Sequence, residues 1–394
     1  MTTAVSASKT AAPAAKGSGR LFNFSAGPGC LPEEVLKQIQ EDVWNIGGSG
    51  IGILEHSHRG KVFDRVLLEA MDDFRKISNL PKNYHVLFLT GGATTQNFMV
   101  PANLKPQDQV ADYITTGYWA EKSLEQAKFY GVVNEAATSK DKNHSYIPDE
   151  THTKYSPNAA YVHYCSNNTI YGTEWHEVEN GKNTWRHRVP KAPAGVPIVC
   201  DMSSDIYSRP IDFTNFGLVY AGAQKNLGAA GCTVMVVRDD LVQKKSRDLP
   251  LMLEYKTHAK DESRYNTPPV AAIYICGLVF KWILKQGSGG RSPLEVIAER
   301  NLRKASLIYD VLDSSKFYKG HAVPNARSLM NITFKCPTPE LDDKFVKEAG
   351  THGMDGLKGH RSTGGMRAST YNAFPEAGCK AIAEFMREFE KKNG

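Results

Sequence analysis

The chain has 394 residues, of which 41% are hydrophobic, 10% aromatic and 23% charged. This composition excludes a largely disordered, collagen-like or fibrous protein. The 48 basic and 42 acidic residues give a net charge of +6, and the basic residues are scattered, which argues against nucleic acid as a partner. The longest apolar run, over 270–280, is too short to cross a bilayer, so we expect no membrane span. A local site for a small anionic molecule fits this charge better.

The cysteines and the N-terminal segment bear on the cellular compartment. The seven cysteines are odd in number and form no CxxC pair, which favours a reducing compartment, and we expect the cytoplasm. No zinc-ligand spacing occurs, so we expect no metal site. Residues 1–20 are rich in Ala, Ser, Thr and Lys and lack an apolar core, which excludes a secretory signal. We interpret them as a disordered tail, with an organellar transit remnant as the alternative.

Strand-like and helix-like segments alternate from residue 21 onward. Six short β-rich runs predict strands, at 84–90, 110–115, 159–165, 197–200, 218–221 and 232–238. Amphipathic segments such as 120–130 lie between several of them. This alternation favours βαβ units and therefore an α/β fold with a mostly parallel sheet. The polar segment 177–195, which contains Pro and Gly, is predicted to be an exposed loop.

The C-terminal part has a different pattern. Residues 293–318 predict a long helix that opens with a Ser-Pro pair as cap and first turn. Two strand-like pieces and a final helix follow, at 328–334, 365–369 and 376–392. The predicted division is a large domain over 33–292 and a small α/β domain over 21–32 and 293–394.

The first candidate for chemistry is the run GGATTQ at 91–96, directly after a predicted strand. Small residues there let backbone amides approach an anion at the N-terminus of the next helix. We interpret this run as a phosphate-binding turn, although a simple strand-to-helix turn is an equal alternative. It is neither GxGxxG nor a Walker loop, which disfavours nicotinamide and nucleoside triphosphate ligands.

Asp201 and Lys225 form the second candidate, because each follows a predicted strand. α/β folds place ligands at that edge of the sheet, but Asp201 could equally be a helix N-cap and Lys225 a surface lysine. Burial would lower the pKa of Lys225 and free its amine as a nucleophile. A pyridoxal phosphate enzyme needs this pair: a Schiff-base lysine and an acid that keeps the pyridine nitrogen protonated. Trp119 could be the aromatic ring over such a cofactor, or a core tryptophan.

Ten stretches carry a family resemblance: FNFSAGPGCLPEEVL (22–36), SHRGKVF (57–63), LFLTGGATTQ (87–96), GYWAEK (117–122), HYCSNNTIYG (163–172), DMSS (201–204), YAGAQKN (220–226), YNTPP (265–269), LVFKW (278–282) and LKGHRSTGGMRASTYNA (357–373). Together they resemble the phosphoserine aminotransferase family, class V aminotransferases with the type I pyridoxal phosphate fold. The resemblance covers about residues 22–390. It implies a large domain with a mostly parallel sheet, a smaller C-terminal α/β domain, and a homodimer with shared active sites.

The resemblance also implies roles toward pyridoxal 5'-phosphate at the matching positions. Lys225 would form the Schiff base, Asp201 would pair with the pyridine nitrogen, and Trp119 would stack on the ring. Thr169 would hydrogen-bond the phenolic oxygen. The cofactor phosphate would be bound by Ala93, Thr94 and Gln224, with Asn266 and Thr267 of the neighbouring subunit.

The implied reaction exchanges an amino group between L-glutamate and 3-phosphohydroxypyruvate, giving O-phospho-L-serine and 2-oxoglutarate. Arg367 would anchor the substrate carboxylate through two parallel hydrogen bonds. The substrate phosphate or the glutamate side chain would be surrounded by His360, Arg361 and the neighbouring subunit's His58 and Arg59. Three positions depart from the family pattern, where serine, arginine and glutamate occur in other members: Ala26, Thr94 and Asn168.

Two alternatives remain at this level. A cysteine desulfurase or another class V transaminase shares the fold, and a desulfurase needs a reactive loop cysteine, for which Cys336 is the candidate. The second alternative is a non-catalytic anion-binding or assembly protein with a decayed site. The joint presence of Lys225, Asp201, Trp119 and Thr169 argues against it.

Overall fold

A computed structural model gives the fold for residues 19–180 and 182–394. The prediction of a disordered tail or transit remnant falls almost wholly on residues 1–18 and lies outside the described residues. Across the two described ranges, no helix is long and apolar enough to cross a membrane.

Strands and short helices alternate through the first two thirds of the chain. The strands are β1 (Phe22–Asn23), β2 (Tyr84–Thr90), β3 (Val110–Thr115), β4 (Val133–Thr138), β5 (Ala159–Cys165), β6 (Asn167–Asn168), β7 (Thr173–Glu174), β8 (His176–Glu179), β9 (Lys182–His187), β10 (Ile198–Asp201), β11 (Leu218–Gly222), β12 (Cys232–Arg238), β13 (Lys319–Gly320), β14 (Asn331–Lys335), β15 (Met354–Asp355) and β16 (Met366–Ser369). The α-helices are α1 (Glu33–Asn45), α2 (Lys61–Ser78), α3 (Gln96–Leu104), α4 (Tyr118–Ala127), α5 (Asp239–Gln243), α6 (Tyr255–Lys260), α7 (Val270–Leu284), α8 (Pro293–Ser314), α9 (Pro339–Thr351) and α10 (Glu376–Asn393).

A seven-stranded sheet forms the centre, in the order β2-β12-β11-β10-β5-β3-β4. Strand β12 is antiparallel to both neighbours, and the other six strands run the same way. The predicted α/β fold with a mostly parallel sheet is therefore confirmed. The carboxyl ends of the six strands meet at one edge, where this class of fold places its ligands.

The central strands are buried on both faces, which explains their continuous apolar sequence. Along β2, Val86 and Phe88 join the core that contains α2 and α7 residues, whereas Leu87 and Leu89 join the core that contains α3 residues. Alternate side chains of one strand thus fill two different cores. Helices therefore pack on both faces of the sheet.

A third core lies in the C-terminal part. It unites β1 with α8, α9, α10 and the three-stranded sheet β13-β14-β16. Phe24 lies in this core, and β1 pairs in parallel with β15. The predicted boundary between a large and a small domain stays a prediction.

Helix α8 begins as predicted but ends earlier. The Ser292 hydroxyl accepts a hydrogen bond from the Glu295 amide, and the Glu295 carboxylate accepts one from the Ser292 amide at 2.7 Å. This capping box fixes the start of the helix. Its last residue is Ser314, four residues before the predicted end, because residues 315–318 turn toward β13.

The prediction of an exposed loop over 177–195 is wrong in its first half. Strands β8 and β9 pair as an antiparallel hairpin there. Asn180, at the turn, has a φ of 51°, and an Asn-Gly pair favours tight hairpin turns. The polar side chains of this segment hid the strand pattern.

Candidate active site

Asp201 and Lys225 lie at the carboxyl edge of the central sheet. Asp201 is the last residue of β10, in register with Cys165 of β5 and Tyr220 of β11. Lys225 follows the end of β11 at Gly222. Because β10 and β11 are parallel neighbours, the fold brings the two predicted residues to the same end of the sheet.

Ser203 holds the carboxylate of Asp201. Oδ1 of Asp201 accepts hydrogen bonds from the Ser203 amide at 2.9 Å and hydroxyl at 2.6 Å. The Ser203 hydroxyl in turn accepts from the Gly222 amide at 3.0 Å. Oδ2 receives no hydrogen bond from the described residues, so it can accept one from a ligand. Turns rather than a helix follow Asp201, so the alternative of a helix N-cap is wrong.

The pKa of Asp201 reflects opposing influences. Burial is the largest influence and raises the pKa of Asp201 above its usual value, although the Ser203 hydrogen bonds and the charge of Lys225 partly offset it. Ser203 and Lys225 therefore favour the ionised carboxylate in a site that would otherwise disfavour charge.

Lys225 is partly buried, and its amine is positioned by a neighbour. Nζ donates a hydrogen bond to the Thr169 hydroxyl at 2.7 Å. Burial lowers the pKa of Lys225 to about 8, while the Asp201 charge raises it and the Arg367 charge lowers it further. A substantial fraction of the amine is thus neutral and nucleophilic near physiological pH.

Thr169 also contacts Arg367. Nη1 of Arg367 donates to the Thr169 carbonyl at 3.3 Å, and its Nε is buried without a hydrogen-bond partner among the described residues. Burial lowers the pKa of Arg367. A guanidinium with an unpaired N–H in a partly buried position is prepared to bind a carboxylate.

The turn that carries Thr169 is tied down by its neighbour. The Asn168 amide group donates to the hydroxyls of Thr116 and Thr173, each at 3.0 Å. Gly117 leaves room for this side chain, since a Cβ there would lie 2.5 Å from Asn168 Oδ1. Asn168, which departs from the glutamate of other family members, therefore tethers this turn to the end of β3.

The predicted phosphate-binding turn follows β2. Residues 93–95 form one short 3₁₀ turn that leads into α3, and the first amides of such a turn have no acceptor within it. A side chain at Gly92 would meet no atom within 4 Å, so the space beside the turn is open. Oε1 of Gln224 is buried without a hydrogen-bond partner among the described residues.

Trp119 stands in the first turn of α4 and is 37% exposed, so it is not a core tryptophan. Its ring packs edge-on against Tyr118 at 5.1 Å, and the Tyr118 ring lies 6.0 Å from that of His360. Burial and the charges of Arg367 and Arg361 lower the pKa of His360. Trp119 and the 360–361 segment thus border the same region.

Four of the predicted site residues have no hydrogen bond to the group formed by Lys225, Asp201, Thr169 and Arg367 within the described part of one chain. These four are His58, Arg59, Asn266 and Thr267. They lie on two loops, one that precedes α2 and one that precedes α7, and an ion pair joins Arg264, near the second loop, to Asp64 in the first turn of α2. Nε2 of His58 is buried without a partner across residues 19–180 and 182–394.

Two residues with evident positioning roles were not predicted. Ser203 orients Asp201, and the Tyr371 hydroxyl donates to the Ala26 carbonyl at 2.5 Å. Both lie within the matched stretches DMSS and 357–373, which is the signal that could have found them. Ala26 contributes through its backbone, so this contact does not need the serine of other family members.

Cys336 lacks the properties of a desulfurase nucleophile. The residue is buried, and burial together with Asp342 raises the pKa of its thiol to about 12. A reactive cysteine needs a low pKa and access to substrate. The structure therefore gives no support to the desulfurase alternative.

A cavity of about 830 Å³ lies elsewhere, beneath the β8–β9 hairpin, and is lined in part by Trp185, Arg209 and Leu302. None of the predicted site residues lines it. Cavity size therefore does not locate the site, whereas the convergence of Lys225, Asp201 and Arg367 does.

Comparisons with known proteins agree with this geometry. The family described as "Aminotransferase class-V" matches residues 21–382. Phosphoserine aminotransferase of Herpetosiphon aurantiacus is 48% identical over 375 residues, which is 95% of this chain and 99% of the relative. The solved phosphoserine aminotransferase from Bacillus circulans subsp. alkalophilus is 44% identical, covers 96% of this chain and 100% of its own, and superposes with a TM-score of 0.89. The pyridoxal-phosphate-bound phosphoserine aminotransferase from Trichomonas vaginalis is 33% identical over 93% of this chain and 100% of its own, with a TM-score of 0.85.

The residues present fit pyridoxal phosphate, the cofactor of this family. An amine of lowered pKa, a carboxylate with one free oxygen, an open turn after β2 and an unpaired Gln224 oxygen after β11 lie at one edge of the sheet. These are the groups that the aldehyde, the pyridine nitrogen and the phosphate of the cofactor require. The chain therefore belongs to the class V aminotransferases and, within them, to the phosphoserine aminotransferases.

Proposed function

We propose that this chain transfers the amino group of L-glutamate to 3-phosphohydroxypyruvate, which gives O-phospho-L-serine and 2-oxoglutarate in L-serine biosynthesis. The convergence on Thr169 carries the proposal. Its hydroxyl accepts from Lys225 Nζ at 2.7 Å and its carbonyl from Arg367 Nη1 at 3.3 Å. A transaminase needs such an arrangement, because its base must meet the Cα that lies next to the anchored carboxylate.

The assignment of cofactor contacts follows from the positions described above. Lys225 Nζ would bind the aldehyde carbon, Asp201 the pyridine N–H, and Thr169 the phenolic oxygen, with Trp119 against the ring. The phosphate would be held by Ala93, Thr94 and Gln224. When bound, pyridoxal phosphate supplies an electron sink for the carbanion at the substrate Cα.

Lys225 is the proposed base. A pKa of about 8 lies close to neutral pH, where one group can both accept and donate a proton. Nζ would take the proton from the substrate Cα and later return one. The Thr169 hydroxyl, which accepts from Nζ, holds the amine near that position between transfers.

Substrate recognition is assigned to the basic residues. Arg367 would hold the carboxylate next to Cα through two N–H groups. His360 and Arg361 would face the second anionic group, which is a phosphate in one substrate and a carboxylate in the other. One cluster would thus accept two doubly charged substrates in turn, in a ping-pong sequence.

We further propose that two copies of the chain complete each site. His58, Arg59, Asn266 and Thr267 would reach the neighbouring subunit's cofactor and substrate. Exposed apolar side chains support this arrangement, since Trp44 is 86% and Leu54 61% exposed and Val43 and Ile51 are exposed as well. The segment around Leu54 is joined to α1, because the Ile53 amide donates to the Asp42 carbonyl at 2.9 Å.

Subunit mixing tests the shared site. Lys225→Ala would be nearly inactive alone, and Arg59→Glu, which reverses a charge proposed to face the anionic substrate, would be nearly inactive at substrate concentrations far below its raised KM. Hybrid dimers would contain one intact site, so mixing after reversible dissociation should restore up to about a quarter of wild-type activity. A monomer by light scattering, or no recovery in hybrids whose formation is verified by tags, would reject the shared site.

We propose the cytoplasm as the compartment. All seven cysteines are free and six of them are buried, a usage typical of a reducing environment. Fractionation of the source cells with compartment markers tests this assignment. Recovery in an organelle, with an N-terminus shortened by processing, would favour the transit-remnant alternative.

The visible absorption spectrum of the purified protein tests the function itself. A yellow Schiff-base band should bleach with O-phospho-L-serine and return with 2-oxoglutarate. A band that persists with O-phospho-L-serine would support the cofactor assignment but show that O-phospho-L-serine is not a substrate. No band after addition of pyridoxal phosphate would favour the non-catalytic binding protein.

Comparison of kcat/KM for O-phospho-L-serine and phosphohydroxythreonine would rank the two substrates.

A further inference from the structure

Helix α8 carries a completely buried lysine. Lys304 is 0% exposed, and its ammonium donates to the backbone carbonyls of Thr370 at 3.0 Å, Tyr371 at 2.7 Å and Phe374 at 3.2 Å. All three ammonium N–H groups are therefore used on one short segment, residues 370–374. No carboxylate of the described residues lies within ion-pair distance of this lysine.

The segment 370–374 links two parts of the candidate active site. It directly follows β16, the strand that carries Arg367. At its centre, the Asn372 amide donates to Oδ1 of Asn226 at 3.0 Å. Asn226 is the residue after Lys225, so the segment joins the strand of the proposed carboxylate anchor to the turn of the proposed base.

A second residue of α8 supports the same segment. Nδ2 of Asn301, nearly one turn before Lys304, donates to Oδ1 of Asn372 at 2.8 Å and to the Ser208 carbonyl at 2.9 Å. Nδ2 of Asn372 donates to the Tyr207 carbonyl at 2.9 Å. The hydrogen bonds of Asn372 thus run from α8 to the turn after β11.

The surroundings of Lys304 make its charge costly, so its contacts must give something in return. The groups that face it are Arg300 on its own helix, Cys379 and Glu376 on α10, and Cys30 in the N-terminal stretch. Burial outweighs the groups that favour its charge and lowers the pKa of Lys304 to about 7. An apolar side chain of similar length would avoid the unfavourable burial of a charge, but it could not hold three carbonyls.

We propose that Lys304 is a positioning residue for the transamination: by holding 370–374 it sets the separation between Arg367 and Lys225. This assignment rests on the proposed function, because the two side chains must meet the carboxylate and the Cα proton of one substrate. Reacting groups that are misplaced by about 1 Å can lower a rate about a hundredfold. Lys304 touches neither group and acts through the backbone between them.

The test compares Lys304→Met with Arg303→Met in the full-length, cofactor-loaded enzyme. Arg303 precedes Lys304 on α8 and is 51% exposed, so its replacement controls for a methionine in this helix. We expect Lys304→Met to lower kcat/KM for glutamate at least about tenfold and to raise KM more than it lowers kcat. The apparent pKa of the visible Schiff-base band should also shift, because the charge of Arg367 would move relative to Lys225.

A purely structural role predicts a different result. A Lys304→Met enzyme that melts at a lower temperature but matches Arg303→Met in KM, kcat/KM and the pKa of its visible band would overturn the proposal. If Lys304→Met does not fold, Asn226→Ala replaces it, since this variant removes the side-chain oxygen that accepts from the Asn372 backbone amide and leaves the Lys304 contacts in place. Unchanged kinetics and spectrum in Asn226→Ala would likewise overturn the proposal. If the visible Schiff-base band of the wild-type enzyme does not change when O-phospho-L-serine is added, the proposed function itself is wrong.

Discussion

The two ends of the candidate site are held in different ways. At the cofactor end, Asp201, Lys225 and Thr169 stand at strand ends and are hydrogen-bonded within the chain. At the outer end, Arg361 and Arg59 lie on loops and are exposed. The fold thus positions the proposed reacting groups in advance and leaves the proposed recognition charges accessible to an anion. We therefore expect changes at the cofactor end to alter kcat and changes at the outer end to alter KM.

Removal of the proposed base should have the largest effect. Lys225→Ala lacks the amine that binds the cofactor and moves the proton, so we expect kcat to fall at least about 10³-fold. Some cofactor affinity should remain through Asp201 and Thr169. Formation of 2-oxoglutarate measures turnover, and Lys245→Ala, at a lysine that is 74% exposed, is the control. Near-normal turnover in Lys225→Ala would contradict the assignment.

Neutralising the proposed partner of the pyridine nitrogen should have the next largest effect. In Asp201→Asn the remaining oxygen can still accept from Ser203, but the negative charge is lost. We expect kcat to fall about 10²-fold with a smaller change in KM. Asp248→Asn, at an aspartate that is 94% exposed, is the matched control. A loss confined to KM would place Asp201 in substrate binding instead.

Arg367 lies between the two ends, since it is partly buried and contacts Thr169. Arg367→Lys keeps the charge but loses the planar pair of donors. We expect KM for glutamate to rise about 10- to 100-fold. Steady-state kinetics with both substrates provides the measurement, and an unchanged KM would show that another group binds the carboxylate.

The pH dependence of cofactor uptake probes the cofactor end without mutation. The pKa of Lys225 is lowered from its usual 10.5 to about 8, and only the neutral amine attacks an aldehyde. The rate at which the cofactor-free enzyme takes up pyridoxal phosphate should rise about tenfold per pH unit below 8 and level off above it. Stopped-flow absorbance follows the reaction. A rate that still rises at pH 10 would mean that the lysine is not perturbed.

The smallest effect is expected at the outer end. Arg361→Gln removes one exposed charge, and exposed charges contribute little individually. We expect KM for the phosphorylated substrate to rise about threefold, with kcat unchanged and a weaker dependence of KM on salt. A fall in kcat equal to that in Asp201→Asn would remove the distinction between the two ends.

Much of the sheet could be predicted because buried strands are apolar and bounded by polar residues or Gly. The predicted bounds of β2, β3, β5 and β12 agree with the structure. The direction of β12 could not be predicted, since a strand buried on both faces has the same pattern whether it is parallel or antiparallel. The β8–β9 hairpin was missed because its polar side chains hide the alternation of a strand.

Some residues of the candidate site could likewise be predicted from the sequence, and others could not. Asp201 and Lys225 could be found because they follow strands, and their chemistry belongs to their own side chains. Lys304 could not, because its role depends on the backbone carbonyls that the fold places opposite it, whereas Ser203 is marked only by its place in the matched stretch DMSS. A lysine in an amphipathic helix usually faces solvent. Nothing in the local pattern distinguishes Lys304 from such a lysine.

The attachment of the predicted phosphate-binding turn, which follows β2, to β12 has a consequence for folding. The Gly91 amide donates to the Gly231 carbonyl, and the Thr233 hydroxyl donates to the Gly91 carbonyl, both at 3.0 Å. The second contact joins positions 142 residues apart. During synthesis the turn cannot take its final shape until β12 has emerged and inserted between β2 and β11, and contacts so distant in the chain form slowly. We therefore expect the proposed binding of the cofactor phosphate at this turn to follow completion of the whole sheet.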